Sequence, residues 1–190
     1  EDGDGYNSLS CGGSDCDDSD SSLGEWDDGK AFTYELVPES WGWVDSGQLN
    51  DGVVSYYGDG LPIDDSWLDR WAWWRSTDPT IIIHIPDSLD VTTVGAYVSH
   101  GIGGGVASPT AMAVYHRTDS SSSWTSLGST TLSPSIGWKT IDIDMTELGG
   151  DLRLDMTRGG EHTILSELTV QGSCSSCELG ATSSCAATSC

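Results

Sequence analysis

The sequence has few basic residues. It carries 7 Lys and Arg against 30 Asp and Glu, which gives a formal net charge of −23. This scarcity argues against nucleic acid binding, because phosphate contacts need clustered Lys and Arg. Docking on anionic lipid is disfavoured for the same reason. Such acidity favours divalent cations, a high-salt solvent or a repulsive soluble surface.

Long apolar runs are missing too. No stretch approaches the ~18 apolar residues that a membrane-spanning helix requires. There is no signal peptide, and the start at Glu1 leads us to expect a processed chain whose leader is not shown. Disorder is not expected, because the chain carries nine Trp and six Tyr, which disordered acidic chains lack.

Cysteine is absent from the long middle of the chain. The six cysteines lie in two flanking clusters, namely Cys11 and Cys16, then Cys174, Cys177, Cys185 and Cys190. An even number at the flanks predicts disulfides formed in an oxidising compartment, so we expect a secreted or cell-surface protein. Zinc is the alternative for the last four, although their spacing matches zinc ribbons and knuckles poorly. The pairing of the cysteines stays open.

The chain divides into three segments. Residues 1–25 are almost all Asp, Ser and Gly and have nothing to bury, residues 26–172 hold the apolar positions, and residues 173–190 form a small, polar, cysteine-rich tail. The middle segment predicts short strands with a period of two and Gly-rich turns between them. The predicted strands are 80–85, 91–98, 110–116, a stretch ending near 132, 141–145, 152–156 and 164–170. This pattern favours an all-β sandwich.

The first segment suggests a cation site. Its aspartates are crowded on a Gly-rich loop, and calcium prefers about six to eight hard oxygen ligands. The candidate ligands are Asp2, Asp4, Asp15, Asp17, Asp18 and Asp20. An EF-hand is not expected, because Gly13 stands where its Glu would be when counting starts at Asp2. A solvated acidic linker is the alternative.

Residues 2–20 resemble the Asp-rich metal-binding repeat of bacterial secreted proteins, which is related to thrombospondin type 3 calcium repeats. The resemblance implies that Cys11 and Cys16 form a disulfide while the aspartates hold calcium. The Pro that usually follows the last Asp of the repeat is missing here, which leaves the end of the loop open.

The middle segment resembles the discoidin or coagulation-factor type C family of galactose-binding-like domains. The resemblance rests on three strings in the family's order, residues 29–34, 48–52 and 159–172. It implies a jelly-roll β-sandwich and a structural Ca²⁺ between the two ends of the domain. By position, Asp51 and Glu167 are its candidate ligands, with carbonyls from residues 50–54. The alternative is that Asp51 merely starts a turn and Glu167 is exposed.

Clustered tryptophans suggest a binding surface. An exposed indole stacks on the apolar C–H face of a sugar. The cluster comprises Trp67, Trp71, Trp73 and Trp74, with Trp41 and Trp43, and we take Trp67, Trp71 and Trp74 as candidates. Arg75, His100 and Arg158 are the candidate partners for the sugar hydroxyls. The alternative is that these rings pack in the core.

Sequence motifs for catalysis are missing. There is no G-x-S-x-G elbow and no H-E-x-x-H helix, and the four histidines are scattered. We therefore predict a non-enzymatic, extracellular, calcium-binding module that recognises carbohydrate or cell-surface glycans. The alternative is a structural subunit of an extracellular filament, sheath or adhesive layer that assembles as a homopolymer, suggested by the cysteine-rich flanks and the high aromatic content.

Overall fold

A computed structural model describes residues 32–37, 47–50, 54, 71–85, 89–101, 105–145 and 149–174. All regular elements within these ranges are β-strands. They are β1 (Thr33–Val37), β2 (Ala72–Arg75), β3 (Thr80–Ile85), β4 (Leu89–Val98), β5 (Ala111–Arg117), β6 (Thr125–Thr131), β7 (Gly137–Asp142), β8 (Gly150–Thr157) and β9 (His162–Cys174). In these ranges no helix is long and apolar enough to cross a bilayer.

The strands form two antiparallel sheets. One has five strands in the order β1-β3-β8-β5-β6, and the other has four in the order β2-β9-β4-β7. Apart from β5 and β6, neighbouring strands are not consecutive in sequence, because the chain crosses repeatedly between the sheets. This arrangement confirms the predicted all-β jelly-roll sandwich.

The core lies between the inner faces of the two sheets. In β3 and β8 every second side chain is buried, and Ile81 pairs with Leu154 while Ile83 pairs with Leu152. The four-stranded sheet contributes Val94, Ala96, Leu165, Leu168 and Val170. Burying these apolar side chains supplies the main driving force for folding, at roughly 25 cal/mol per Å².

Most of the predicted strands are confirmed, with shifts at their ends. β7 ends at Asp142, although Ile143 and Met145 remain buried beyond it, and β9 continues to Cys174, past the expected domain boundary at residue 172. β1 and β2 were not among the predicted strands. β2 has only four residues, too few for its alternation to be recognised as a strand in the sequence.

Several turns meet at one end of the sandwich. Strands β2, β4 and β8 end there and β3, β5 and β9 begin there, so residues 76–79, 99–101, 105–110 and 158–161 are neighbours. The predicted turn after β5 lies at the opposite end. In that turn the hydroxyl and backbone N–H of Ser121 donate to Asp119, which lowers the pKa of its carboxyl to about 2.

Candidate functional site

Strand β2 sends its side chains alternately to the two faces of the sheet. Ala72 and Trp74 join the core, whereas Trp73 and Arg75 point to the outer face. Trp73 packs against a small apolar cluster formed by Trp71, Val106 and Ile164, and its side chain remains half-buried. This alternation brings one aromatic ring and one guanidinium together at the crowded end.

Trp73 contacts His162 at the start of β9. The indole Nε1–H donates to His162 Nδ1 over 2.8 Å, and the two rings meet edge to face with centroids 5.1 Å apart. Because Nδ1 accepts this bond, the neutral imidazole carries its proton on Nε2. The second nitrogen of His162 is therefore a donor.

Glu161 joins His162 to Arg75. Its Oε1 lies 3.0 Å from Arg75 Nε and 2.9 Å from Nη2, and 3.8 Å from His162 Nε2. The side chains of Arg75 and Glu161 are both 48% exposed. We call Trp73, Arg75, Glu161 and His162 the loop-end cluster.

Backbone hydrogen bonds hold this cluster in place. Ser76 N–H donates to Glu161 O over 2.7 Å, and His162 exchanges bonds with Gly105 and Ala107, at 3.1 Å each. Gly160 permits this close approach, since a Cβ there would lie 2.6 Å from Gly105 O. Three turns from different parts of the chain are thus fixed against one another, which preorganises the side chains they carry.

The loop-end cluster offers hydrogen-bond donors and acceptors beside an aromatic ring. Arg75 and His162 donate, Glu161 accepts, and Trp73 supplies an apolar surface. The ion pair between Arg75 and Glu161 is exposed, and such pairs contribute about 0–1 kcal/mol. Hydroxyl groups of a ligand can therefore replace the Arg75–Glu161 contact with little loss of free energy.

The predicted ligand-binding residues lie in different places, and only some of them are near the loop-end cluster. Arg75 belongs to the loop-end cluster. His100 lies in the neighbouring loop and accepts a hydrogen bond from Ser108 N–H at 3.1 Å, so its Nδ1 supports that loop. Arg158 lies on the adjacent turn, where its Nε is 3.6 Å from Asp78. Trp67 lies outside the described residues.

The prediction that Trp71 and Trp74 bind sugar is wrong. They are 3% and 1% exposed, so neither presents a face on which a sugar can stack. Trp74 belongs to the main core and Trp71 to the small cluster under Trp73, which agrees with the packing alternative.

Trp73 belongs to the tryptophan cluster of the sequence but is not among the selected candidates, and Glu161 and His162 were not predicted at all. The signal for Trp73 was present, because Arg75 was already a candidate and positions 73 and 75 share a face if the segment is a strand. Glu161 and His162 carried no such signal, since only the pairing of β2 with β9 places His162 opposite Arg75.

Glu167 is buried, at 3% exposure, which contradicts the alternative that it is a surface residue. Its neighbour Leu168 donates from N–H to Leu49 O over 2.7 Å, so the turn at residues 47–50 runs beside β9 at this point. The Asn50 side chain fixes the turn by donating to Phe32 O at 2.8 Å. The segment that leads into Asp51 therefore lies next to Glu167, as the calcium hypothesis requires.

The remaining predicted metal and disulfide residues lie outside the described part of the chain, except for the backbone of Cys174 at the end of β9. They are Asp2, Asp4, Asp15, Asp17, Asp18, Asp20, Asp51, Cys11, Cys16, Cys177, Cys185 and Cys190. In the ranges that are described, His, Cys, Asp and Glu form no group of three suited to a metal ion.

A second polar cluster covers the outer face of the five-stranded sheet. Asp151 lies 2.6 Å from His84 Nδ1 and accepts from Arg117 at 2.8 Å. Burial alone would raise the pKa of Asp151, but the hydrogen bonds from His84 and Arg117 outweigh it and hold the pKa below its usual 3.8.

Guanidinium groups lie over the faces of the aromatic rings on the outer face of the five-stranded sheet. Arg153 lies 4.2 Å from the centroid of the Tyr115 ring, and Arg117 lies 4.5 Å from that of Trp124. Arg153 is also 5.1 Å from the Trp124 ring. These rings are already engaged in cation–π contacts within the sheet.

Comparison with known proteins identifies the fold. No family model and no curated protein matches the chain. Among solved structures, it is similar to a family 32 carbohydrate-binding module of C. perfringens NanJ in complex with galactose, at 12% identity, a TM-score of 0.51, and coverage of 75% of this chain and 95% of that one.

Two further structures show the same likeness. The F5/8 type C domain of a Bacteroides fragilis protein has a TM-score of 0.51 at 9% identity and covers 74% of this chain and 90% of its own. A Streptococcus pneumoniae β-galactosidase structure, BgaA, has a TM-score of 0.53 at 14% identity and covers 72% and 89%. The middle of this chain therefore has the galactose-binding-like fold of F5/8 type C and family 32 carbohydrate-binding domains.

Proposed function

We propose that this chain is a non-catalytic extracellular module that binds a glycan at the loop-end cluster. Trp73 provides the surface for one face of a sugar ring, and Arg75, Glu161 and His162 bind its hydroxyl groups. The galactose bound to the C. perfringens module supports a carbohydrate as the ligand, because the two proteins share a fold.

The geometry of the loop-end cluster carries this proposal. A half-buried indole, a donor on His162 Nε2 and an exposed Arg75–Glu161 pair converge where three turns meet. Sugar recognition requires this combination of an apolar surface and a few well-placed polar groups.

Calorimetry with galactose, N-acetylgalactosamine and larger glycans tests the proposal. We expect Arg75→Ala and Trp73→Ala each to weaken binding at least about tenfold, which corresponds to the loss of one or two good contacts. Trp124→Ala is the matched control, because this half-buried Trp lies on the opposite sheet and is covered by arginines. Equal affinity of Trp73→Ala and the wild type, or no binding across a broad glycan panel, would contradict the proposal.

Calcium is the second part of the proposed function. Glu167 would hold Ca²⁺ together with Asp51 and carbonyl groups of the turn that follows Asn50. The position of Glu167 supports this site, because it lies in β9 beside the turn that leads into Asp51, and Ca²⁺ binds carboxylate and carbonyl oxygens together. Such an ion would fasten the long connection between β1 and β2 to β9.

A chelator experiment tests the calcium site without relying on glycan binding. We expect EDTA to lower the Tm of the wild type, since an ion that binds only the folded state stabilises it. Glu167→Gln removes a ligand charge at nearly constant volume, so its Tm should respond weakly to EDTA. An unchanged wild-type Tm would refute a bound structural ion.

The Asp-rich calcium segment, the disulfides and the extracellular location remain predictions from the sequence. The filament alternative rests on the cysteine-rich flanks, and no contact among the described residues favours it over glycan binding.

A further inference from the structure

The outer face of the four-stranded sheet carries an exposed tryptophan. Trp138 on β7 is 43% exposed, and among the described residues it is the aromatic side chain that counts as exposed. It pairs across the strands with Tyr97 on β4, and the two rings are perpendicular with centroids 5.6 Å apart. The contact with Tyr97 orients the Trp138 ring, and much of its side chain remains exposed to solvent.

Uncharged polar side chains continue this face beyond the aromatic pair. Thr140 follows Trp138 on the same face, about 6.8 Å along the strand, and is exposed. The register places it opposite Gly95, where a Cβ would lie 2.8 Å from the Thr140 methyl group. Gly95 thus lets the Thr140 side chain lie across β4, which keeps the surface next to Trp138 flat.

The next row of side chains is polar as well. Thr93 donates to Asp142 over 3.1 Å, and Gln171 lies opposite Thr93 on β9. We call Trp138, Tyr97, Thr140, Thr93, Asp142 and Gln171 the sheet-face patch. The patch combines one exposed indole with hydroxyl, amide and carboxylate groups and includes no basic side chain.

The edge strand argues against strand pairing with another protein chain. Along β7, Lys139 points inward and is buried, and its Nζ donates to Ser133 O at 2.9 Å and Ser135 Oγ at 2.6 Å. An inward-pointing lysine on an edge strand is a known obstacle to strand pairing between molecules. A second copy is also repelled, because each chain carries a net charge of −23.

Charge also narrows the choice among glycans. An acidic polysaccharide would face Asp142 and a strongly negative protein, with no basic side chain in the patch, so it is disfavoured. Glu167 on β9, opposite Tyr97, is a further carboxylate next to the patch. A neutral polysaccharide matches the patch, because its apolar ring face stacks on Trp138 while its hydroxyls meet Thr140, Thr93 and Gln171.

We infer that the sheet-face patch is a second contact surface, which binds a neutral polysaccharide chain independently of the loop-end cluster. The patch is on the face of the sheet and the loop-end cluster is at its end. A long chain would therefore touch the patch along several sugar units, whereas a single sugar would gain little there.

Affinity electrophoresis through gels containing galactomannan, xylan or polygalacturonate tests this inference. We expect at least one of the two neutral polysaccharides to retard the protein. Trp138→Ala should weaken that retardation by about tenfold in apparent affinity, and Trp138→Tyr should retain most of it. Ile136→Ala is the matched control, because Ile136 is similarly exposed two residues earlier and should leave retardation unchanged.

The same measurement in the Trp73→Ala background separates the two sites. If Trp138→Ala still weakens retardation there, the patch acts independently, even if the loop-end proposal fails. Equal retardation of Trp138→Ala and wild type, retardation by polygalacturonate alone, or none in any gel would overturn the inference. A wild-type dimer in sedimentation analysis that Trp138→Ala converts to a monomer would also overturn it, by making a second copy the occupant.

Discussion

The outer faces of the two sheets use aromatic residues in opposite ways. On the five-stranded sheet, Tyr115 and Trp124 are covered by the guanidinium groups of Arg153 and Arg117. On the four-stranded sheet, Trp73 is held by His162 along its edge, and Trp138 remains open. An aromatic ring near the surface is therefore not in itself a binding site; what decides is whether its face is already occupied by the protein.

The charged groups differ between the same two regions. Asp151 is only 14% exposed and is bonded by two basic side chains, whereas the Arg75–Glu161 pair is open to solvent. Partly buried, multiply bonded charges stabilise a fold, while exposed pairs contribute little and exchange readily for a ligand. The five-stranded sheet is thus the structural side of the molecule, and the other sheet is the proposed recognition side.

The largest expected effect concerns a tryptophan that belongs to neither surface. Trp74→Ala should destabilise the fold by about 3–5 kcal/mol, because a large buried ring is lost and a cavity remains. Urea unfolding measures the change. If Trp74 were instead a sugar platform, the variant would lose affinity while keeping its stability.

On the structural side, Asp151→Asn should cost about 1–3 kcal/mol, because it weakens bonds to both His84 and Arg117. Urea unfolding combined with the Arg117→Ala variant in a double-mutant cycle isolates the coupling between the pair. We expect the glycan affinity of Asp151→Asn to equal that of the wild type. A loss of glycan affinity would contradict the claim that the five-stranded sheet takes no part in binding.

At low pH the contribution of Asp151 to the free energy of unfolding should disappear. Its folded-state pKa is lowered, so its contribution is present above the usual carboxyl pKa of 3.8 and is lost as the pH falls through the folded value. We therefore expect the stability difference between wild type and Asp151→Asn to shrink below about pH 4. Urea midpoints across pH 2–7 measure it, and a difference that grows on acidification would contradict the assignment.

The smallest expected effect on stability is at the recognition side. Glu161→Gln should change the free energy of unfolding by no more than about 1 kcal/mol, because its pair with Arg75 is exposed. Thermal unfolding checks this, with Asp151→Asn as the comparison. A larger loss for Glu161→Gln would mean that the loop-end cluster is structural.

The sequence predicts the sandwich well and the site only in part. The alternation of Ile81 and Ile83, and of Leu152 and Leu154, is directly visible as strand patterning. In β7 the same alternation places Lys139 at a core position, which hides the first part of the strand and leaves Trp138 without an evident role. Of the loop-end cluster only Arg75 was predicted, because Trp73 and His162 are far apart in sequence and meet only through the β2–β9 pairing.

The most direct test is an NMR titration of the indole N–H signals with galactose. Trp73 Nε1–H bonds to His162 within the proposed site, so its signal should move on titration, while those of Trp74 and Trp124 should stay in place. A titration in which the Trp73 signal stays fixed while glycan binding is detected by calorimetry would show that the sugar binds elsewhere and would contradict the account.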